Sequence, residues 1–186
     1  MRKVIAAINM TLDGICDHTA GVPDEDLHQH YAGLLDNAGV VLYGRTTYQL
    51  MQFWQTLLKK PSGKKTMDDF ALAIDKIPKI VFSKTLENTG WDSATLATKE
   101  LENEVLELKQ ASNGGSKDIL VGSRSLIIQL INLNLIDEFQ ICIHPMLEGK
   151  GLQLFDKIKD TTIFRLLKTK IFSSGAIVLY YEPTRQ

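Results

Sequence analysis

Apolar residues along the chain follow two rhythms. Short apolar stretches at residues 4–8, 40–43, 79–82 and 118–121 have the length and β-branched content of strands covered on both faces. Helical segments fall between them. Pro23 precedes Asp24, Glu25 and Asp26, an acidic first turn for a helix reaching about Asn37, with Gly39 closing it. Further helices are expected from residue 46 to about 53, near 67–75, and from 125 to about 133. Another runs over Leu101, Val105 and Leu108, capped by Thr98 and ending before Asn113-Gly114-Gly115. Residues 9–22, rich in turn formers, and 55–65, polar and containing Pro61-Ser62-Gly63, read as loops.

The last third changes character. Residues 139–143, 164–172 and 176–181 look like strands, and Ser173-Ser174-Gly175 supplies a hairpin turn between the final two. Strands that alternate with helices and then finish in a hairpin imply an α/β fold. Its central sheet would be mostly parallel, with helices on both faces and an antiparallel C-terminal hairpin at the edge. No repeat, low-complexity tract or linker interrupts residues 1–186, which read as one domain.

Composition narrows the function classes. Hydrophobic residues make up 44% and charged residues 23% of 186 positions, enough for a full core without metals or disulfides. A formal net charge of −1 supplies no basic field for nucleic acid or an anionic membrane, so any attraction for phosphate must be local. Cys16 and Cys142 are too few for a disulfide framework, and Cys142 alternates within an apolar strand as a core thiol would. No stretch approaches the ~20 apolar residues of a membrane span. The short apolar run after Arg2-Lys3 suits an opening strand rather than a signal peptide, so a cytoplasmic protein is expected.

Candidate chemistry gathers at strand ends. Val40-Val41-Leu42-Tyr43-Gly44-Arg45-Thr46-Thr47 is a buried strand turning directly into a helix. Ile119-Leu120-Val121-Gly122-Ser123-Arg124-Ser125-Leu126 repeats that design. Free backbone N–H groups at a helix start, joined by a cation and hydroxyls, suit phosphate. Ser83-Lys84 ends a further strand. Ligands of open α/β sheets bind at such strand ends, so Arg45, Lys84 and Arg124 converge if the sheet is parallel there. Thr46 and Ser123 could equally serve as plain helix caps. Neither the GxGxxG nor the P-loop pattern is present.

These segments together resemble the dihydrofolate-reductase-like superfamily. The chain is most similar to the stand-alone bacterial branch that resembles the C-terminal reductase domain of the riboflavin biosynthesis protein RibD. The resemblance rests on Ile5-Ala6-Ala7-Ile8-Asn9-Met10-Thr11-Leu12-Asp13-Gly14, Leu42-Tyr43-Gly44-Arg45-Thr46-Thr47-Tyr48 and Lys79-Ile80-Val81-Phe82-Ser83-Lys84. Leu135-Ile136-Asp137-Glu138, His144-Pro145-Met146-Leu147-Glu148-Gly149-Lys150-Gly151 and Leu154-Phe155 complete it.

The resemblance implies an NADPH-dependent oxidoreductase that transfers a hydride to a small pteridine- or pyrimidine-type heterocycle. Gly44, Arg45, Thr46, Thr47, Ser83, Lys84, Gly122, Ser123, Arg124, Ser125 and Leu126 would hold the adenosine and pyrophosphate end. Cations near Ser83 would favour the 2′-phosphate of NADPH. Ala7, Gly14 and Ile15 would flank the nicotinamide, and Asp13 would face the reacting centre. Asp26 would support protonation of the ring, or else complement the helix dipole. Asp13 reads equally as a turn residue before glycine. Asn9, Phe53 and Trp54 would meet the substrate, although Phe53 and Trp54 also suit ordinary core.

Serine at position 123, where the family often carries a second glycine, must adopt a backbone shape that glycine takes more easily. His18, His28 and His30 cluster in sequence, but the spacing of the last two puts them on different helix faces, against a shared metal. A homodimer is expected from the resemblance, through the C-terminal strands. The alternative from another class is a catalytically weak nucleotide-binding protein on the same fold.

Overall fold

The computed structural model describes residues 1–111 and 117–184. One eight-stranded sheet organises them. It is formed by β1 (Val4–Thr11), β2 (Ala38–Gly44), β3 (Lys79–Phe82), β4 (Ala94–Leu96), β5 (Asp118–Val121), β6 (Glu138–His144), β7 (Phe164–Ile171) and β8 (Ile177–Pro183). The helices are α1 (Glu25–Asn37), α2 (Arg45–Met51), α3 (Phe53–Lys59), α4 (Lys65–Lys76), α5 (Leu101–Gln110) and α6 (Arg124–Asn132). Strand order is β4-β3-β2-β5-β1-β6-β8-β7. From β4 to β6 the pairing is parallel, and β8 then pairs antiparallel with both β6 and β7. The expected α/β architecture, with its antiparallel edge hairpin, is what the chain forms.

The unbroken apolar runs follow from the two covered faces. On one face Val4, Ala6, Ile8, Val40, Leu42, Ile119 and Val121 meet α5 and α6 through Leu101, Val105, Ile127 and Leu130. On the other, Ala7, Val41, Tyr43, Val81 and Leu120 meet α1, α2 and α4 through Leu35, Tyr48 and Ile74. Side chains alternate between the faces at period two, so a strand covered on both must be apolar throughout. Each fully buried Leu or Ile contributes roughly 1.5–3 kcal/mol relative to exposure.

Several boundaries differ from the sequence reading. β1 continues to Thr11, which places Asn9 on a strand rather than in a loop. Gly39 lies inside β2, and α1 stops at Asn37. The helix expected from 46 to 53 divides into α2 and α3, and α3 occupies much of the region read as a loop. No residue of α3 is buried, although Trp54 and Leu57 are half-buried and Trp54 packs on Phe70 of α4. The three-residue β4 was not foreseen; it is held by pairing with β3. Helix α5 is preceded by Glu100 rather than capped by Thr98, and the stop expected before Asn113-Gly114-Gly115 lies outside the described residues.

At the N-terminal end of the sheet Lys79 is almost fully buried. Its ammonium donates to Ile77 O at 2.9 Å and Ser93 Oγ at 2.6 Å and lies over the Trp91 ring. Burial lowers its pKa to about 8, despite the opposing pull of Asp75. This cluster clamps β4 to β3 at the opposite end from the loops described next.

Candidate functional site

Strand β5 stops at Val121, where its pairing with β1 has reached only Ala6. β1 itself runs five residues further, paired with β6 alone. From Ala7 onward its other edge therefore has no strand beside it, and a crevice opens between β1 and β2. Such a place, at the carboxyl ends of parallel strands, is where α/β sheets receive ligands.

Next to it lies a cleft of about 570 Å3 lined by the ends of β2, β3 and β4 and the start of α6. Gly44, Arg45, Thr46 and Thr47 form one wall, Ser83 and Lys84 the next, and Ser125 and Leu126 a third. The sequence reading missed the fourth wall, Thr98, Lys99 and Glu100 after β4. Its signal was legible: Thr98-Lys99 repeats the hydroxyl-plus-lysine pattern of Ser83-Lys84. Neither α2 nor α6 has a side-chain cap, so first-turn N–H groups are left for a ligand. Arg45 donates to Thr85 Oγ1 at 2.8 Å, and Lys99 pairs with Glu107. Lys84 has no hydrogen-bond or ion-pair partner among the described residues.

Ser123 and Arg124 lie outside this cleft. The buried Ser123 takes φ −107° and ψ 125°, ordinary extended backbone, so the glycine-like shape expected there is not required. Its hydroxyl is not a helix cap either; it accepts the Gly44 N–H at 2.8 Å. A Cβ on Gly122 would stand 3.3 Å from the Tyr43 ring, which explains the glycine beside it. Arg124 was expected to converge with Arg45 and Lys84. Instead its guanidinium donates to Gln153 O at 2.7 Å and pairs with Asp156.

Asp13 is held by hydrogen bonds from both sides of a loop contact. Its carboxylate accepts from Thr11 Oγ1 at 2.5 Å, Gly149 N at 2.7 Å and Glu148 N at 3.2 Å. The Thr11 hydrogen bond, followed by that from Gly149, holds its pKa at about 2. Asp17 accepts from Leu152 N at 2.8 Å, and Ile15 bridges Gln153. Residues 11–17 and 146–154 are thus sewn together. A Cβ on Gly151, where φ is +142°, would come within 2.3 Å of Asp17 Oδ2. Gly14 turns the chain with φ +81°, and Ile15 is buried beneath. Arg124 and Asp13 therefore both fasten the 146–156 segment beside the crevice.

The acid candidates separate in the same way. Asp24 caps α1, accepting Leu27 N at 2.7 Å, and also accepts Ser174 N at 2.9 Å. Burial opposes its ionisation, but hydrogen bonds from Ser174, Leu27 and Ser173 bring its pKa to about 2. Asp26 is exposed in the first turn of α1, with Ser173 Oγ 3.4 Å from its carboxylate. Trp54 packs on Phe70 at 4.5 Å between ring centroids and edge-on to His28 at 6.0 Å, while Phe53 is largely exposed. His28 Nδ1 meets Asp24 O, and His30 packs against Tyr31 and Phe172.

Asn9, on the α1 side of β1, is the centre of a polar network. Its Oδ1 accepts the Tyr31 hydroxyl at 2.8 Å and lies 3.3 Å from His144 Nε2. Val22 N donates to His144 Nδ1 at 3.1 Å. His144 is buried, and desolvation lowers its pKa against the opposing pull of Asp24.

Among the described residues no helix is long and apolar enough to cross a membrane. The RibD C-terminal domain family model matches residues 2–178. The uncharacterised protein YyaP of Bacillus subtilis is 31% identical over 184 residues, covering 97% of this chain and 95% of that one. A candidate riboflavin biosynthesis protein from Shewanella sp. PV-4 superposes with a TM-score of 0.74 at 18% identity, over 98% of this chain and 99% of its own. RibD of Acinetobacter baumannii superposes with a TM-score of 0.69 at 14% identity, over all of this chain and 59% of its own. The architecture is thus the dihydrofolate-reductase-like fold. The sequence match over nearly its whole length shows that this chain belongs to the RibD C-terminal domain family.

Proposed function

We propose that the protein is an NADPH-dependent reductase that passes a hydride to a small pteridine- or pyrimidine-type heterocycle. The observation that carries this reading is the cleft at the ends of β2, β3 and β4, where cations, hydroxyls and uncapped helix starts meet beside the open edge of β1. That donor set fits a dinucleotide with more than one phosphate. Arg45, Thr46, Thr47 and Ser125 would hold the phosphates. Lys84, without a hydrogen-bond or ion-pair partner among the described residues, suits a 2′-phosphate, and Lys99 lines the same cleft.

The cofactor, when bound, supplies the hydride; the protein positions the two rings against each other and manages a proton. Asp13 and Asp24 have their carboxylates tied to backbone N–H groups. Asp26 is exposed, with only Ser173 Oγ near its carboxylate among the described residues, and it remains the acid candidate. Turnover tests the reading: NADPH consumption is followed with a panel of dihydropteridines, folates and aminouracils. Consumption dependent on one ring class supports a reductase. Tight NADPH binding with no turnover across the panel favours the nucleotide-binding alternative instead.

The proposal includes a homodimer. β7 is one of the two outer strands of the sheet, with Leu166, Leu167 and Ile171 exposed along it. A second copy, paired edge to edge about a two-fold axis, would cover both the open backbone and these apolar side chains.

A further inference from the structure

We infer that Asn9 is a specificity-determining residue, presenting its amide N–H2 as a fixed donor to a ring carbonyl of the bound heterocycle. The inference rests on the crevice beside β1 being the ring site, as proposed above.

The polarity of the network is forced from its buried end. The Val22 backbone N–H can only donate, so His144 Nδ1 must be the unprotonated nitrogen. The neutral imidazole therefore carries its proton on Nε2, where it faces Asn9 at 3.3 Å. Nε2 also lies 3.9 Å from the Cys142 thiol, and with its proton facing the nearer Asn9 the amide oxygen is the end that can accept it. The Tyr31 hydroxyl, donating at 2.8 Å, reaches the same oxygen. With Oδ1 held from two directions, a flipped amide would set its N–H2 against the His144 Nε2–H. Its nitrogen has no partner among the described residues, and Asn9 is exposed.

The exposure is informative because of where Asn9 sits. It follows Ala7 and Ile8 on the sheet floor, in the stretch of β1 that β5 leaves uncovered. A planar ring lying there finds a donor at a set position and orientation. A carbonyl oxygen or unprotonated ring nitrogen satisfies it, whereas an exocyclic amino group opposes N–H to N–H and leaves both unpaired. A ring with a carbonyl at that one position is thus selected, and its counterpart with an amino group there is rejected. Tyr31 and His144 act as positioning residues.

The test compares two isosteric rings, pteridine-2,4-dione and 2,4-diaminopteridine, titrated onto the intact protein with NADP+ present. Wild type should bind the dione at least about tenfold more tightly, a difference of one hydrogen-bond mismatch. Asn9→Asp keeps both anchoring bonds but turns an acceptor toward the ring, so it should reverse the preference. Tyr31→Phe removes one anchor and should narrow the preference several-fold while leaving the NADPH dissociation constant unchanged. No preference in wild type, binding of neither ring, or an Asn9→Asp protein with the wild-type preference overturns the inference. A parallel NADPH titration separates the two readings. Retained NADPH binding with failed ring selection sinks this inference alone, and reversed ring selection without NADPH affinity sinks only the cofactor assignment.

Discussion

The Ser123 hydroxyl accepts the backbone N–H of Gly44 at 2.8 Å, so one hydrogen bond joins two strand-to-helix junctions 79 positions apart. Both partners are buried, and the Gly44 N–H has no intrahelical acceptor to fall back on. The serine that replaces a second glycine is therefore a tie between the β2 and β5 ends, and these frame the cleft.

Ser123→Ala should cost about 1–3 kcal/mol, because it leaves a buried donor unsatisfied. Chemical denaturation reads this directly. Ser123→Gly should lose as much or more, since it also adds unfolded-state freedom. A glycine variant as stable as wild type would show that the hydroxyl is dispensable.

Asp13 and Gly151 should behave as parts of one fastening. Gly151→Ala forces a Cβ toward Asp17 and should destabilise by about 1–3 kcal/mol. Asp13→Asn should loosen the 146–154 segment, visible as faster amide hydrogen exchange there. It should lower turnover equally at every pH, because a carboxyl held at about 2 does not titrate near neutrality. A rate limb near neutral pH that Asp13→Asn abolishes would restore it as the proton donor.

Acid stability should report Asp24. Its folded-state pKa of about 2 lies below the ordinary value of 3.8, so folding favours the ionised form. Its stabilisation is complete above about pH 4 and is lost as pH falls toward 2. Asp24→Ala, which also removes the α1 cap, should cost about 1 kcal/mol at neutral pH. The gap to wild type should shrink on acidification across that window. A gap that stays constant from neutral pH to pH 2 would mean the charge is not what stabilises.

Fold and site were legible to different depths. The strand ends could be read because an apolar run, a glycine and a basic hydroxyl-bearing turn are local signals, and the parallel core required all of them. Strand β4 could not, because its three residues owe their conformation to pairing with Lys79–Phe82 and to the Lys79–Trp91 clamp. Asp13 and Arg124 were read as site residues because their types and neighbours suit chemistry. Their actual partners, Gly149 and Asp156, lie 136 and 32 positions further along the chain. Distant backbone acceptors and donors leave no trace in local pattern. Asn9, read as the start of a loop, lies on β1, and the groups that fix its amide are Tyr31 and His144, 22 and 135 positions away.

Light scattering should return twice the 20.8 kDa chain mass. Ile171, 72% exposed on β7, is the position at which a charge should split the dimer. Ile171→Lys should give a folded monomer. A wild-type monomer at working concentration would remove the edge-to-edge pairing.

The most direct test of the central claim is a pair of fluorescence titrations, NADPH and NADH, on wild type and on Arg45→Ala. Micromolar NADPH binding and much weaker NADH binding are expected in wild type. Arg45→Ala should lose ~1.5–3 kcal/mol of NADPH affinity, as for a charge-assisted hydrogen bond. Equal affinity for the two nucleotides, or an Arg45→Ala protein that binds NADPH as wild type does, would contradict the assignment of the cleft.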